Sequence, residues 1–141
     1  MVAIFTNRLL KRQDLVVNGD GEQTRDFIFV GDVVQANLLA GKALLAGKLA
    51  LEHNFGYYNV GCGKETSVND VVKALRAAWR ETEQSRNGHR EIRVTHAAVK
   101  PGEQRRSVID PRKIKRDLGW QPQVSFEDGL IATIRSFLVK R

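Results

Sequence analysis

Residues 19–27, Gly19-Asp20-Gly21-Glu22-Gln23-Thr24-Arg25-Asp26-Phe27, lead from a glycine turn into a cation, an anion and an aromatic ring, and Val30-Gly31-Asp32-Val33-Val34 follows. Asn18-Gly19-Asp20-Gly21 is a turn signature: glycine enters positive φ without a Cβ penalty, and Asn and Asp brace turns with their side chains. In an extended segment after the turn, alternation puts Arg25 and Phe27 on one face and Asp26 on the other. A guanidinium beside an aromatic ring can hold a diphosphate through paired N–H donors while the ring lines an adjoining pocket. The same residues also suit a surface Arg paired with an acid and a Phe turned into the core. Spacing alone does not separate the two.

Working outward, residues 2–12 have helical spacing, with Ile4, Phe5, Leu9 and Leu10 on one face. Leu15-Val16-Val17 is a short strand, and Asp26 to Val30 a second extended segment. Asp32 can cap a helix running to about Ala46, with Gly47 ending it. That helix is apolar over most of its circumference, which predicts burial on more than one side. Tyr57 to Val60 reads as a buried strand before the turn Gly61-Cys62-Gly63. Ser67-Val68-Asn69-Asp70 forms a capping box ahead of Val71, Val72, Leu75, Ala78 and Trp79 at helical spacing. Glu91 to Thr95 alternates like a strand. Asp110-Pro111 opens a helix from Pro111 to Leu118, which Gly119 closes. Ser125-Phe126-Glu127-Asp128 caps a last helix through Leu130, Ile131, Ile134, Phe137 and Leu138. The elements add up to a mixed α/β fold. Gln84-Ser85-Arg86-Asn87-Gly88 is a turn-rich junction rather than a boundary, so residues 1–141 read as a single domain.

Composition narrows the function classes. The 141 residues are 42% hydrophobic and 28% charged, enough for a core without disulfides. One cysteine, Cys62, excludes an intrachain disulfide framework and a multi-cysteine zinc site. No apolar run approaches the ~20 residues of a membrane span, and Met1–Phe5 has no basic segment ahead of a long apolar one, so a cytoplasmic location is expected. Of the net charge of +7, residues 80–116 hold 11 Lys/Arg against 5 Asp/Glu, a local +6. Such a field suits nucleic acid or a small phosphate-bearing ligand, and equally a solvated surface without partner.

Candidate sites are few. His53, His89 and His96 stand apart, so no metal site is expected. There is no Gly-x-Ser-x-Gly elbow and no phosphate loop followed by Lys. Gly61-Cys62-Gly63 lacks the third glycine of a dinucleotide fingerprint and reads as a tight turn, with Cys62 a small buried residue rather than a nucleophile. Lys100-Pro101-Gly102-Glu103-Gln104-Arg105-Arg106-Ser107 combines a Pro-Gly turn with flanking charges that can meet phosphate and a ribose diol, or simply form a charged loop.

Taken in order, Gly19–Phe27 with Val30-x-Asp32-Val33-Val34, Tyr58-Asn59-Val60-Gly61-x-Gly63, Pro101-Gly102-Glu103 with Ser107 and Asp110, Leu118-Gly119-Trp120-x-Pro122 and Asp128-Gly129-Leu130 resemble the substrate-domain signature of extended short-chain dehydrogenases/reductases. The resemblance runs from about Phe5 to Phe137. It is nearest to the NAD-dependent epimerase/dehydratase group, in particular UDP-glucose 4-epimerases and their N-acetylhexosamine relatives. It implies the mixed α+β substrate-binding half of such an enzyme, without the Rossmann half. The Gly-x-x-Gly-x-x-Gly and Tyr-x-x-x-Lys elements of that half do not occur here; Tyr57 and Tyr58 are followed four positions on by Gly61 and Cys62.

By the same resemblance Arg25 would bind the diphosphate of a UDP-sugar and Phe27 would line the nucleotide pocket. Lys100 stands where the family usually has an Arg on the phosphates, keeping the charge but losing the bidentate fork. Glu103 would accept hydrogen bonds from the ribose hydroxyls. Ser107 would lie at the sugar end, its small size leaving room for an N-acetyl group. Asn18 replaces a common aromatic before the turn. No catalytic residue falls within these residues, and NAD would serve the complete enzyme without being bound by this chain alone. The apolar helix 32–46 would pack on the NAD-binding half, so in this chain part of it should be uncovered and open to a second copy. The rival expectations are a portion of a dTDP-sugar 4,6-dehydratase or related reductase, a basic nucleic-acid-binding module, and a protein-interaction domain.

Overall fold

The computed structural model describes residues 1–49, 57–83 and 92–139. His53, His89, the Gln84–Gly88 junction and Glu91, where a strand was expected to begin, lie outside these. The described residues form five helices and two small two-stranded sheets, a mixed α/β arrangement.

Helix α1 (Val2–Leu10) buries Phe5, Thr6 and Leu9. Ile4, expected on that face, is exposed. It precedes Phe5 by one residue, about 100° around the axis, and so falls off the stripe that Phe5 and Leu9 define. Strand β1 (Leu15–Asn18) then pairs in parallel with β4 (Val94–Ala97), Leu15 opposite Val94 and Asn18 opposite Ala97. Leu15 and Val17 point inward and are fully buried. The second strand therefore begins later than the expected Glu91 and continues through His96 and Ala97, because the ladder follows β1 to its end, where the Gly19 N–H donates to the Ala97 carbonyl at 2.9 Å.

Strand β2 (Thr24–Arg25) pairs antiparallel with β3 (Thr66–Ser67). The expected extended segment Asp26–Val30 forms no ladder; helix α2 (Val30–Leu45) starts inside it, with Phe29 as its N-cap. Asp32 consequently sits in the first helical turn instead of capping it. It is only 3% exposed, and its carboxylate accepts the backbone N–H groups of Gln123 and Val124, both at 3.1 Å, while its own carbonyl accepts Trp120 Nε1–H at 3.1 Å. A negative charge near a helix N-terminus is favoured by the aligned peptide dipoles, so one residue joins α2 to the 120–124 segment at a place where the charge is tolerated. At the other end Gly47, with φ +64, ends the helix as expected.

Helix α2 is covered along one stripe only. Ala36 packs with Ile114 and Trp120, and Ile28, Leu39, Tyr58, Val60 and Leu118 fill in around them. Val30 (68% exposed), Val34, Leu38 and Leu45 face solvent. The apolar circumference thus does not translate into burial on several sides within this chain. Residues Tyr57–Val60 join no strand pairing; Tyr58 and Val60 are held by this cluster instead, with Lys113 Nζ 4.0 Å over the Tyr58 ring.

Helix α3 (Val68–Glu83) opens with the expected capping box: Ser67 Oγ accepts the Asp70 N–H at 3.0 Å and donates to the Asp70 carboxylate at 2.7 Å. Helix α4 (Arg112–Leu118) begins one residue after Pro111, and Gly119 closes it with φ +66. In α5 (Phe126–Val139) Ser125 and Asp128 repeat the capping box. The main core joins α1, α3, α5 and β1 through Phe5, Leu9, Leu15, Val17, Val71, Leu75, Leu130 and Ile134, with the partly buried Val94 of β4 packed against it.

Replacing Asp32 by Ala leaves two backbone N–H groups without acceptors and should lower stability by about 2–4 kcal/mol. Val34→Ser, on the open face of α2, should change it by no more than about 0.5 kcal/mol. Urea unfolding of the two variants checks both.

Candidate functional site

The glycine turn is seated on the N-terminus of α3. Asn69 N–H donates to the Gly21 carbonyl, and its side-chain amide donates to the Asp20 carbonyl at 2.9 Å and to Glu22 Oε1 at 2.6 Å. Gly21 has φ +77, and a Cβ there would collide with Asn69 Oδ1, so this position requires glycine for both backbone and space. The turn then delivers Thr24 and Arg25 into β2. On this strand Thr24 N–H donates to the Arg105 carbonyl at 2.9 Å and Ser107 N–H donates to the Thr24 carbonyl at 3.2 Å. Residues 105–107 therefore run alongside β2 as a strap.

The strap is reached through a tight turn. Glu103 N–H donates to the Lys100 carbonyl at 3.2 Å, and Gly102, following Pro101, takes φ +78, the combination of a type II turn. Lys100 and Glu103 are thereby the two ends of one turn. Glu103 Oε1 lies 3.9 Å from Arg25 Nη2, while Arg25 Nη1 donates to the Thr24 carbonyl at 2.7 Å. Three of the five residues singled out in the sequence, Arg25, Glu103 and Ser107, thus meet at one edge of the small sheet, and Lys100 stands at the far end of the turn from Glu103. Phe27 is placed elsewhere. Its ring packs against Phe126, centroids 5.6 Å apart, and lines an apolar groove of about 270 Å³ with Val2, Phe29, Val30 and Leu130. The pairing of Arg25 with an acid and the seating of Phe27 at the core edge follow the second of the two arrangements that spacing left open.

Asp26, on the opposite face of the strand, is a structural hub. Its carboxylate accepts the N–H groups of Cys62 and Gly63, both at 2.9 Å, and of Ile109 at 3.2 Å. A Cβ on Gly61 would stand 2.7 Å from Asp26 Oδ2. The Gly61-Cys62-Gly63 turn therefore does not fit a dinucleotide: two of its N–H groups are already directed at a carboxylate, whose charge would repel a pyrophosphate. The Cys62 thiol is half-buried, donates to the Phe27 carbonyl at 3.1 Å, and is pushed up in pKa by burial, then by the charges of Asp26 and Asp32. That is the environment of an inert thiol. Among the described residues no three His, Cys, Asp or Glu side chains gather as metal ligands, and no helix is long and apolar enough to cross a membrane.

Much of the basic charge near the site is already paired. Arg105 makes two contacts to Asp20, at 2.7 and 3.0 Å, and Arg106 grips Glu65 through Nε and Nη2 at 2.9–3.2 Å. Arg112 engages Asp110, and Lys113 and Arg116 share Asp117. Asp20, Glu65, Arg105 and Arg106, which hold the strap down, were not identified from sequence. Their partners are 85 and 41 residues apart, and no local spacing pattern links them.

Hydrogen bonds from Arg105 hold the Asp20 carboxyl at about 2, and Arg112 does the same for Asp110. A depressed carboxylate adds stability that is present above its unfolded pKa and is lost as pH falls through the folded value. Both pairs should persist through ordinary acid and open only between about pH 4 and pH 2. In an NMR carboxyl titration Asp20 and Asp110 should be among the last Asp resonances to move; titration near the ordinary Asp value would show that the pairs do not form.

Fold, strap and motif order define an extended short-chain dehydrogenase/reductase, of which these residues correspond to the C-terminal portion. Residues 1–133 match the family described as GDP-mannose 4,6 dehydratase, and the chain belongs to that family. The dTDP-glucose 4,6-dehydratase of Haemophilus influenzae is 33% identical over 141 residues, spanning 98% of this chain and 39% of that protein. The crystal structure of the Thermotoga maritima UDP-glucose 4-epimerase with UDP-glucose superposes with a TM-score of 0.74 at 34% identity, over 99% of this chain and 39% of that one. The Thermus thermophilus UDP-glucose 4-epimerase, solved with NAD, has a TM-score of 0.74 at 32% identity, over 97% and 39%. The chain spans 36–39% of the length of the curated relatives it matches.

Proposed function

We propose that these residues are the nucleotide-sugar-binding portion of an NAD-dependent sugar 4-epimerase, with a UDP-hexose or UDP-N-acetylhexosamine as ligand. The convergence of Arg25, Glu103 and Ser107, from distant parts of the chain, on one edge of the small sheet carries this reading. Arg25 meets the diphosphate, with Lys100 adding a point charge; Glu103 accepts from the ribose hydroxyls; Ser107 leaves room at the sugar; Phe27, packed on Phe126 in the neighbouring apolar groove, stands outside this edge. These groups bind and orient, which lowers the entropic part of a barrier but moves no proton. The portion is therefore catalytically incomplete on its own. NAD, which the Gly61–Gly63 turn does not fit, belongs to another portion of the protein, and supplies hydride exchange at the sugar when bound there.

A second reading, a dTDP-sugar 4,6-dehydratase, has its own support in the 33% identity to the Haemophilus influenzae enzyme. The two readings differ in the nucleotide preferred. Nucleic acid as partner is disfavoured, because Arg105, Arg106, Arg112, Lys113 and Arg116 are engaged with carboxylates. In calorimetric titration UDP should bind more tightly than dTDP, and Arg25→Ala should weaken UDP by about tenfold to a hundredfold, the loss of one or two charge-assisted hydrogen bonds. Tighter binding of dTDP would favour the dehydratase; binding of neither would overturn the nucleotide reading.

The uncovered face of α2, with Val30, Val34 and Leu38 in solvent, supports association with the NAD-binding portion or with a second copy of the chain. At tens of micromolar, light scattering should give a mass above that of one chain, and Leu38→Glu should return it to one. A one-chain mass for the unmodified protein would remove the second copy as a partner.

A further inference from the structure

We infer that Glu103 is a specificity element: it shields Arg25 from inorganic anions and releases it to a ligand that also brings a vicinal diol. The inference rests on the nucleotide reading of the site and deepens it. Arg25 and Glu103 are 31% and 26% exposed, and their 3.9 Å separation allows Coulomb attraction but no hydrogen bond. A loose, partly solvated pair of this kind opens easily. Its effect lies in where the displaced carboxylate goes.

The backbone of Glu103 has little freedom to leave. Upstream its N–H closes the turn onto Lys100; downstream the strap is bound to Thr24 on both sides and clamped by the Arg105–Asp20 and Arg106–Glu65 pairs. Glu103 can rotate its side chain but not withdraw. A phosphate or pyrophosphate reaching Arg25 must push the carboxylate off the guanidinium and then coexist with it a few ångströms away, like charge beside like charge. A nucleoside diphosphate makes the same displacement but presents two ribose hydroxyl donors to the freed carboxylate. Lys100, on the same turn, attracts both anions alike and contributes no discrimination.

The test is titration of the chain and its Glu103→Gln variant with pyrophosphate and with UDP. Removing the charge should raise pyrophosphate affinity by about tenfold and lower UDP affinity through the weakened ribose contacts, so the preference for UDP contracts. Adding Arg25→Ala to Glu103→Gln should abolish the gained pyrophosphate binding. Glu103→Ser, which removes the carboxylate without an amide in its place, should act in the same direction, and circular dichroism confirms that each variant folds. Unchanged pyrophosphate affinity in both variants overturns the inference, even if UDP binds normally. Failure of UDP to bind, with pyrophosphate gained in the variants, overturns the nucleotide reading and leaves the shielding of Arg25 standing.

Discussion

Backbone N–H groups that belong to no helix or ladder need acceptors of their own, and in this chain two carboxylates six positions apart supply five of them. Asp26 takes the N–H groups of Cys62, Gly63 and Ile109; Asp32 takes those of Gln123 and Val124. Among the described residues the sheets are only two strands wide, so hydrogen-bonded ladders cannot organise the loops. The segment between Arg25 and Val33 does it instead, gathering three distant loops onto itself. The order of cation, anion and aromatic has its physical basis here: alternation turns Asp26 inward to the loops while Arg25, on the other face, stays at the edge where a ligand can reach it.

The edge itself is built by pairing rather than by packing. Arg105 and Arg106 lie in a stretch whose surplus of positive charge looks, in one dimension, like a surface for polyanions. In three dimensions each faces a carboxylate from elsewhere in the chain, and these two pairs fasten a strap. Exposed ion pairs add little to global stability. Bidentate ones that fix the position of a neighbouring functional group matter through geometry instead.

Helix α2 presents an apolar face that the described residues do not cover. Its apolar pattern extends beyond the stripe occupied by Ala36 and the Ile114–Trp120 cluster, and a helix whose outward residues include Val30, Val34 and Leu38 has more hydrophobic surface than this chain can bury. The matched relatives are more than twice as long as the chain, and the association proposed above would cover this excess.

Local chemistry was enough to set the helices and turns: Ser67 with Asp70, Ser125 with Asp128, the glycines at 47 and 119, and the Lys100–Glu103 turn are all features whose hydrogen-bonding partners lie within a few residues, and each is where its motif puts it. The family was legible for a related reason, since its motifs are the short stretches where backbone conformation and charge are both constrained. What required the tertiary structure is whatever depends on partners far along the chain. Asp32 has the composition of a cap, yet it serves as an acceptor for Gln123 and Val124; Tyr57–Val60 is apolar enough for a buried strand, yet only its Tyr58 and Val60 pack, on the Trp120 cluster, while Tyr57 is exposed. Whether Arg25 has an acid beside it was likewise open until the strap brought Glu103 to 3.9 Å. Sequence specifies what each residue can bond to; only the fold decides which of those groups comes within reach.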